Sequence, residues 1–251
     1  GSHVAGILAA ATDNEVGMAS TAFNAYIMSS KTSRDGPSTD EPGIWSGYPG
    51  ILYAAQAGYA AGLTTIINNS WGGGGYSNSE QSVINTAHNT YGAVVVASAG
   101  NGSNTGNEEQ YETGYPASYE NVISVCAIGC NGQWRGWASY HPTVDLAAPG
   151  ESIYSAIIGS GYASWNGSSM AGPNAASCIG LLKAFYPDMD NDQLIERITS
   201  TADRFIYDRN PEYETCNGYA GNDCLGKGMV DAYKAIGIEI APNIAILSTN
   251  I

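Results

Sequence analysis

The chain has 251 residues, 43% of them hydrophobic, and carries 23 acidic side chains against 9 Lys and Arg, for a formal net charge of −14. That apolar content excludes a disordered chain, a field of that sign repels phosphate backbones and excludes nucleic acid as an expected partner, and no apolar run reaches the ~18 residues that span a bilayer. The length suits one large α/β domain or two small ones, and it is enough to bury a substantial core.

In chain order, His3 to Ala11 is small, apolar and predicted helical, and Ala25 to Met28 reads as a strand. Pro49 to Ala61 is a predicted helix, Thr65 to Asn68 a buried strand and Ser79 to Thr90 a helix. The β-branched run Ala93 to Ala97 suits a central parallel strand. Asn121 to Val125 and Thr143 to Ala147 are further predicted strands, followed by a long small-residue helix, Ser168 to Phe185, and an amphipathic one, Asn191 to Thr201. Strands alternating with helices predict a mostly parallel sheet covered on both faces, with the working residues beyond the carboxyl ends of the strands. Residues 1–239 form the expected domain and 240–251 a tail or linker.

Five cysteines are present. Cys216 and Cys224 flank a polar, Gly-containing loop and read as a local disulfide, which implies an oxidising compartment and about 2–3 kcal/mol of stabilisation. Cys126 and Cys130 could bridge a tight turn, and Cys178, in an apolar helical stretch, reads as a buried free thiol. A zinc site on the four loop cysteines is the weaker reading, with no C-x-x-C pair or nearby His.

Three segments carry chemistry. Asn166 to Pro173 (NGSSMAGP) turns directly into a helix, with Pro173 in its first turn. Ser169 then sits at the positive end of the helix dipole, which favours a nucleophile passing through anionic intermediates. Val94 to Gly102 is a strand ending in Gly-Asn-Gly, which places the Asn101 amide as a donor for a developing oxyanion. Ile66 to Gly75 is a strand ending in Ser70, Trp71 and Gly72 and further glycines, which allow an extended peptide to pair with the backbone. Singly, these segments could be a serine cap, a plain turn and a flexible loop.

Together and in this order they resemble the subtilase family of serine proteases, whose serine motif is Gly-Thr-Ser-Met-Ala-x-Pro. Gly167 to Pro173 matches it with Ser for Thr. The resemblance runs from Gly1 to about Ile238 and includes Tyr115-Pro116-Ala117, with a cis proline peptide in the family, and the framework segments Val144 to Gly150 and Gly226 to Ala232. It implies a three-layer αβα sandwich and a secreted serine endopeptidase acting on polypeptides through an acyl-enzyme on Ser169. Asn101 would be the oxyanion donor, and Ser70, Trp71 and Gly72 would line the substrate channel. Ser98, Ala99 and Gly100 would wall the primary specificity pocket over Gly114.

The family's histidine motif is His-Gly-Thr-His-Val-Ala-Gly, and its first His is the general base. Gly1-Ser2-His3-Val4-Ala5-Gly6 aligns His3 with the second, structural His. The resemblance therefore implies a fold lacking its N-terminal part, with the catalytic Asp and His on an N-terminal fragment or chain. His88 and His141 are expected to be solvated or structural. The loop Thr12 to Met18 resembles the family's calcium loop, with Thr12, Asn14, Val16 and Met18 as ligands of a structural Ca²⁺ through hard oxygens. A catalytically inactive relative that keeps the fold is the main alternative. An α/β-hydrolase is disfavoured because Gly167-Ser168-Ser169-Met170-Ala171 lacks the second glycine of the nucleophile elbow. A large pocket over Gly114 predicts bulky apolar residues before the scissile bond, whereas Glu108, Glu109 and Glu112 would favour a basic one.

Overall fold

A computed structural model describes residues 1–33, 43–102, 111–216, 219–220 and 223–237. The domain boundary at 239 and the 240–251 tail lie outside them, as do Glu108 and Glu109.

Four parallel strands form the central sheet in the order β1 (Ile66–Asn69), β2 (Val94–Ser98), β3 (Val122–Ile128) and β4 (Leu146–Pro149). Side chains alternate between the faces of a strand, and β2 shows the consequence. Val94 and Val96 join the core with Ala175, Ile179 and Leu182 of helix α4 (Ser168–Phe185). Ala93, Val95 and Ala97 join the opposite core with Ile51 and Ala55 of α2 (Gly47–Ala60) and Ile84 and Ala87 of α3 (Asn78–Asn89). All five residues of β2 and all seven of β3 are buried. That is why these strands read as unbroken apolar runs and not as alternating ones. The result is the expected three-layer αβα arrangement.

Helix α4 crosses all four strands, and α1 (Ser2–Ala9) packs on it. Its small residues bring it close: a Cβ on Gly172 would lie 3.0 Å from Asn68 Oδ1 and 3.1 Å from Ser98 Oγ. An antiparallel hairpin, β5 (Ile153–Ile157) and β6 (Gly161–Trp165), leads into α4. Helices α5 (Asn191–Ser200), α6 (Phe205–Arg209) and α7 (Ala232–Ile236) follow. Asp190 opens α5 with a reciprocal capping box to Gln193, satisfying two first-turn donors at once.

Two readings fail. Ala25 to Met28 forms no strand; Tyr26 is 95% exposed, and the segment pairs with no described strand. Cys126 and Cys130 are free thiols, because Cys126 is fully buried within β3 while Cys130 is exposed beyond its end. His88 takes the structural alternative: it is buried, its Nε2 bonds Asp192 Oδ1 at 3.0 Å, and Asn191 flanks it. Cys178 is free, as expected. Burial raises the Cys126 thiol to about 12 and the Cys178 thiol to about 11, since a thiolate is poorly solvated there.

Candidate functional site

The carboxyl ends of β1 and β2 converge on the first turn of α4. Gly167 precedes the helix with φ 148° and ψ 155°, a conformation reserved for glycine, and frees the chain to turn sharply out of the β6 loop. The two serines that follow then differ. Ser168 is buried, and its hydroxyl donates to Asn101 Oδ1 at 3.0 Å and accepts the Gly100 N–H at 3.3 Å. Ser169 is half-buried, and among the described residues its hydroxyl has one hydrogen-bond partner, the Ser70 carbonyl at 3.5 Å. Ser168 is thus committed to the framework, and Ser169 presents the accessible hydroxyl.

Asn101 is exposed just beyond β2. Its Oδ1 also accepts the Ser168 N–H at 2.8 Å. That bond assigns the oxygen to the helix side and aims Nδ2 away from the framework. The Ser169 N–H, in the first turn, has no i−4 carbonyl to bond. The Asn101 amide thus lies against the start of α4, with Nδ2 and Oδ1 both 3.7 Å from where a Cβ on Gly167 would stand.

The other expected residues divide. Gly73 N–H donates to the Tyr115 carbonyl at 3.0 Å, which ties the strand end after Ser70, Trp71 and Gly72 to the turn holding the cis Tyr115-Pro116 peptide. Trp71 meets Tyr48 edge-on at 5.5 Å. Ser98 and Ala99 are buried, and the Ser98 hydroxyl donates to the Ser168 carbonyl at 2.8 Å, so their side chains face the framework. Gly100 and Gly114 are half-buried, and among the described residues a Cβ on Gly114 would meet Ala99 O alone, at 3.4 Å. Glu112 accepts the Ser139 hydroxyl at 2.7 Å behind Gly100. Ser139 also accepts the Gly102 N–H at 2.9 Å, a brace that sequence spacing did not suggest.

The three histidines lie elsewhere. His3 is buried, bonds the Ala163 carbonyl through Nε2 at 3.0 Å and stacks on Trp165 at 4.3 Å. His88 is held by Asp192, and His141 faces Thr143, its pKa lowered by burial. In the loop 12–18, Asn14 Oδ1 accepts the Val16 N–H at 3.1 Å, and Asp13, Glu15 and Gly17 alternate in the left-handed region. Among the described residues, no group of three His, Cys, Asp or Glu side chains could hold a metal.

A doubly covered parallel sheet whose strand ends surround an accessible serine at a helix N-terminus defines an α/β protein built for nucleophilic chemistry. The subtilase-family profile matches residues 1–227. The chain is 36% identical to thermitase of Thermoactinomyces vulgaris over 237 residues, 94% of this chain and 74% of that one. It is 36% identical to subtilisin DY of Bacillus licheniformis, covering 82% of this chain and 73% of that one. A solved protease structure from Pseudoalteromonas arctica superposes with a TM-score of 0.73 at 30% identity, covering 93% of this chain and 69% of that one. The chain belongs to the subtilase family, as a subtilisin-like serine endopeptidase.

Proposed function

We propose that Ser169 is the nucleophile of this endopeptidase, that Asn101 Nδ2 and the Ser169 N–H hold the oxyanion, and that the general base comes from outside these 251 residues. The observation that carries this reading is that Ser169, half-buried in the first turn of α4, follows the Ser168 that Asn101 holds, while His3, His88 and His141 are each engaged elsewhere. A His on an N-terminal fragment or chain would take the Ser169 proton as the hydroxyl attacks the peptide carbonyl. An Asp on the same segment would orient that His and stabilise its cation. Triad members act as a unit, so the chain alone is expected to turn over little substrate.

Labelling with a serine-directed fluorophosphonate tests this. Residues 1–251 alone should label slowly, and the protein completed with the upstream segment should label rapidly at Ser169. Robust peptidase turnover by residues 1–251 alone would overturn the external base. Absence of labelling in the completed protein would favour an inactive relative that keeps the fold.

Further properties belong to the same proposal. A structural Ca²⁺ would take the carbonyls of Thr12, Val16 and Met18 and the Asn14 side-chain oxygen, an all-oxygen set suited to a hard cation. The alternating left-handed residues that curl the loop support it, and a calcium-dependent rise in Tm would test it. Cys224 is buried and disulfide-bonded, which supports a Cys216–Cys224 bridge and a secreted protein. Ser70, Trp71 and Gly72 would pair with the substrate backbone. Gly100 and Gly114, over buried Ser98 and Ala99, would receive the side chain before the scissile bond. The absence of a Cβ on Gly114 supports a bulky apolar residue there, and Glu112 is occupied by Ser139.

A further inference from the structure

The carbonyl of Ser169 stands four residues before Pro173 on α4. In an α-helix that oxygen accepts the N–H four residues on, and proline has no N–H. The oxygen is nevertheless satisfied: the Ser70 hydroxyl, arriving from the end of β1, donates to it at 2.9 Å. Ser70 has one hydroxyl proton and spends it there, so its Oγ can only accept from any other neighbour. Asn68 Nδ2 donates to it at 2.9 Å, leaving Asn68 Oδ1 buried and without a partner. The donor chain therefore runs one way, from Asn68 to Ser70 to the Ser169 carbonyl. In parallel, Ser98 donates to the neighbouring Ser168 carbonyl at 2.8 Å.

We propose that Ser70, oriented by Asn68, is a positioning residue that replaces the N–H missing at Pro173 and thereby fixes the Ser169 peptide. The inference rests on the reading of Ser169 as nucleophile. A first-turn carbonyl left without a donor turns toward water, rotating the Ser169 peptide and displacing its hydroxyl from the Asn101 donor. Small displacements of reacting groups are expensive in rate. The side chain of Ser70 thus works on the enzyme, and its backbone remains available to substrate.

The test is a rescue in the protein completed with the segment that supplies the base. Ser70→Ala should lower kcat about tenfold, the rate equivalent of one hydrogen bond, with KM within about twofold. Ser70→Thr, which keeps the hydroxyl, should retain most of the rate. Pro173→Ala restores an N–H to the helix, so Ser70→Ala/Pro173→Ala should regain kcat to within about threefold of the parent. A second readout needs no activity. Ser169-Met170 is the only Ser-Met step in the sequence, so carbonyl-¹³C serine with ¹⁵N methionine isolates one carbonyl resonance. That resonance should move in Ser70→Ala and return in the double variant. An unmoved resonance in Ser70→Ala, an unchanged kcat, or a kcat that stays low in the double variant would overturn the proposal. Ser169→Ala is the separate control: residual turnover there would sink the nucleophile reading, while the carbonyl resonance still decides the hydrogen bond.

Discussion

Asn101 Oδ1 accepts the backbone N–H of Ser168 at 2.8 Å, so the residue caps α4 with one end of its amide and leaves the other end for the oxyanion role proposed for it. The two ends can be separated. Asn101→Asp keeps an oxygen for Ser168 and replaces the Nδ2 donor by a charge of the wrong sign. Its Tm should stay near that of the parent. In the completed protein its kcat should fall by on the order of 10²–10³ or more, the loss measured when a subtilisin gives up one such donor. Asn101→Ala should in addition lose about 1 kcal/mol of stability, as the Ser168 N–H goes unpaired. Rate losses that merely followed unfolding in both variants would contradict the division.

A second prediction concerns Asp145, just before β4. The loop 223–228 closes over it: Lys227 N–H donates to its carbonyl at 2.8 Å, and a Cβ on Gly226 would come within 2.3 Å of its backbone. Desolvation raises the carboxyl pKa to about 6, against the opposing pull of the Ser124 N–H bond and the Lys227 charge. The folded value lies above the unfolded one, so the protonated form is the stabilised one. This contribution is fully present below pH ~4 and is lost as pH rises through about 6, up to about 3 kcal/mol. Asp145→Asn should therefore flatten stability between pH 4 and 7 and melt higher than the parent at pH 7. Denaturant melts across that range check it, and a parent protein that gains stability over the same rise relative to the variant would refute the sign.

What the sequence disclosed and withheld follows from where each signal resides. Val94 to Ala97 was legible as a central strand because burial on both faces leaves no polar position. Ser168 to Phe185 was legible because its glycine start and small-residue face are local. Ala25 to Met28 was misread because strand propensity describes a pleated, half-buried surface, and no described strand supplies that surface. Cys126 and Cys130 looked bridgeable by spacing, but the pleat of β3 sends one thiol into the core. The β5–β6 hairpin was overlooked although Gly159-Ser160-Gly161 marks its turn. The division of labour between Ser168 and Ser169 was visible only in the family motif, since Asn101 lies 67 residues away from Ser168 in the chain.

The thiols give a third prediction. Cys130 is exposed, whereas Cys126 is buried and Cys178 half-buried, and desolvation favours the thiol form of both. Reactivity follows the exposed thiolate. A maleimide or disulfide reagent should modify one thiol per native chain, at Cys130, and Cys130→Ser should abolish that rapid phase. Peptide mapping that found Cys126 modified at a similar rate would require β3 to open far more readily than its complete burial allows.

The last prediction separates pocket size from pocket charge. Among the described residues a Cβ on Gly114 would meet the Ala99 carbonyl alone, at 3.4 Å, so Gly114→Val should fold with a nearly unchanged Tm. If Gly114 lies at the base of the primary pocket, the new methyl groups occupy space that a Phe or Leu before the scissile bond would need. A methylene-sized change in an apolar pocket is worth about 1–3 kcal/mol. In the completed protein kcat/KM for Phe substrates should therefore fall at least about tenfold relative to Ala substrates. Glu112 makes the complementary test, because its carboxylate already binds Ser139. Glu112→Gln should leave the ratio of Lys to Phe cleavage unchanged. A fall in that ratio on Glu112→Gln, with the ratio of Phe to Ala unmoved in Gly114→Val, would transfer the selectivity from the size of the pocket to its charge.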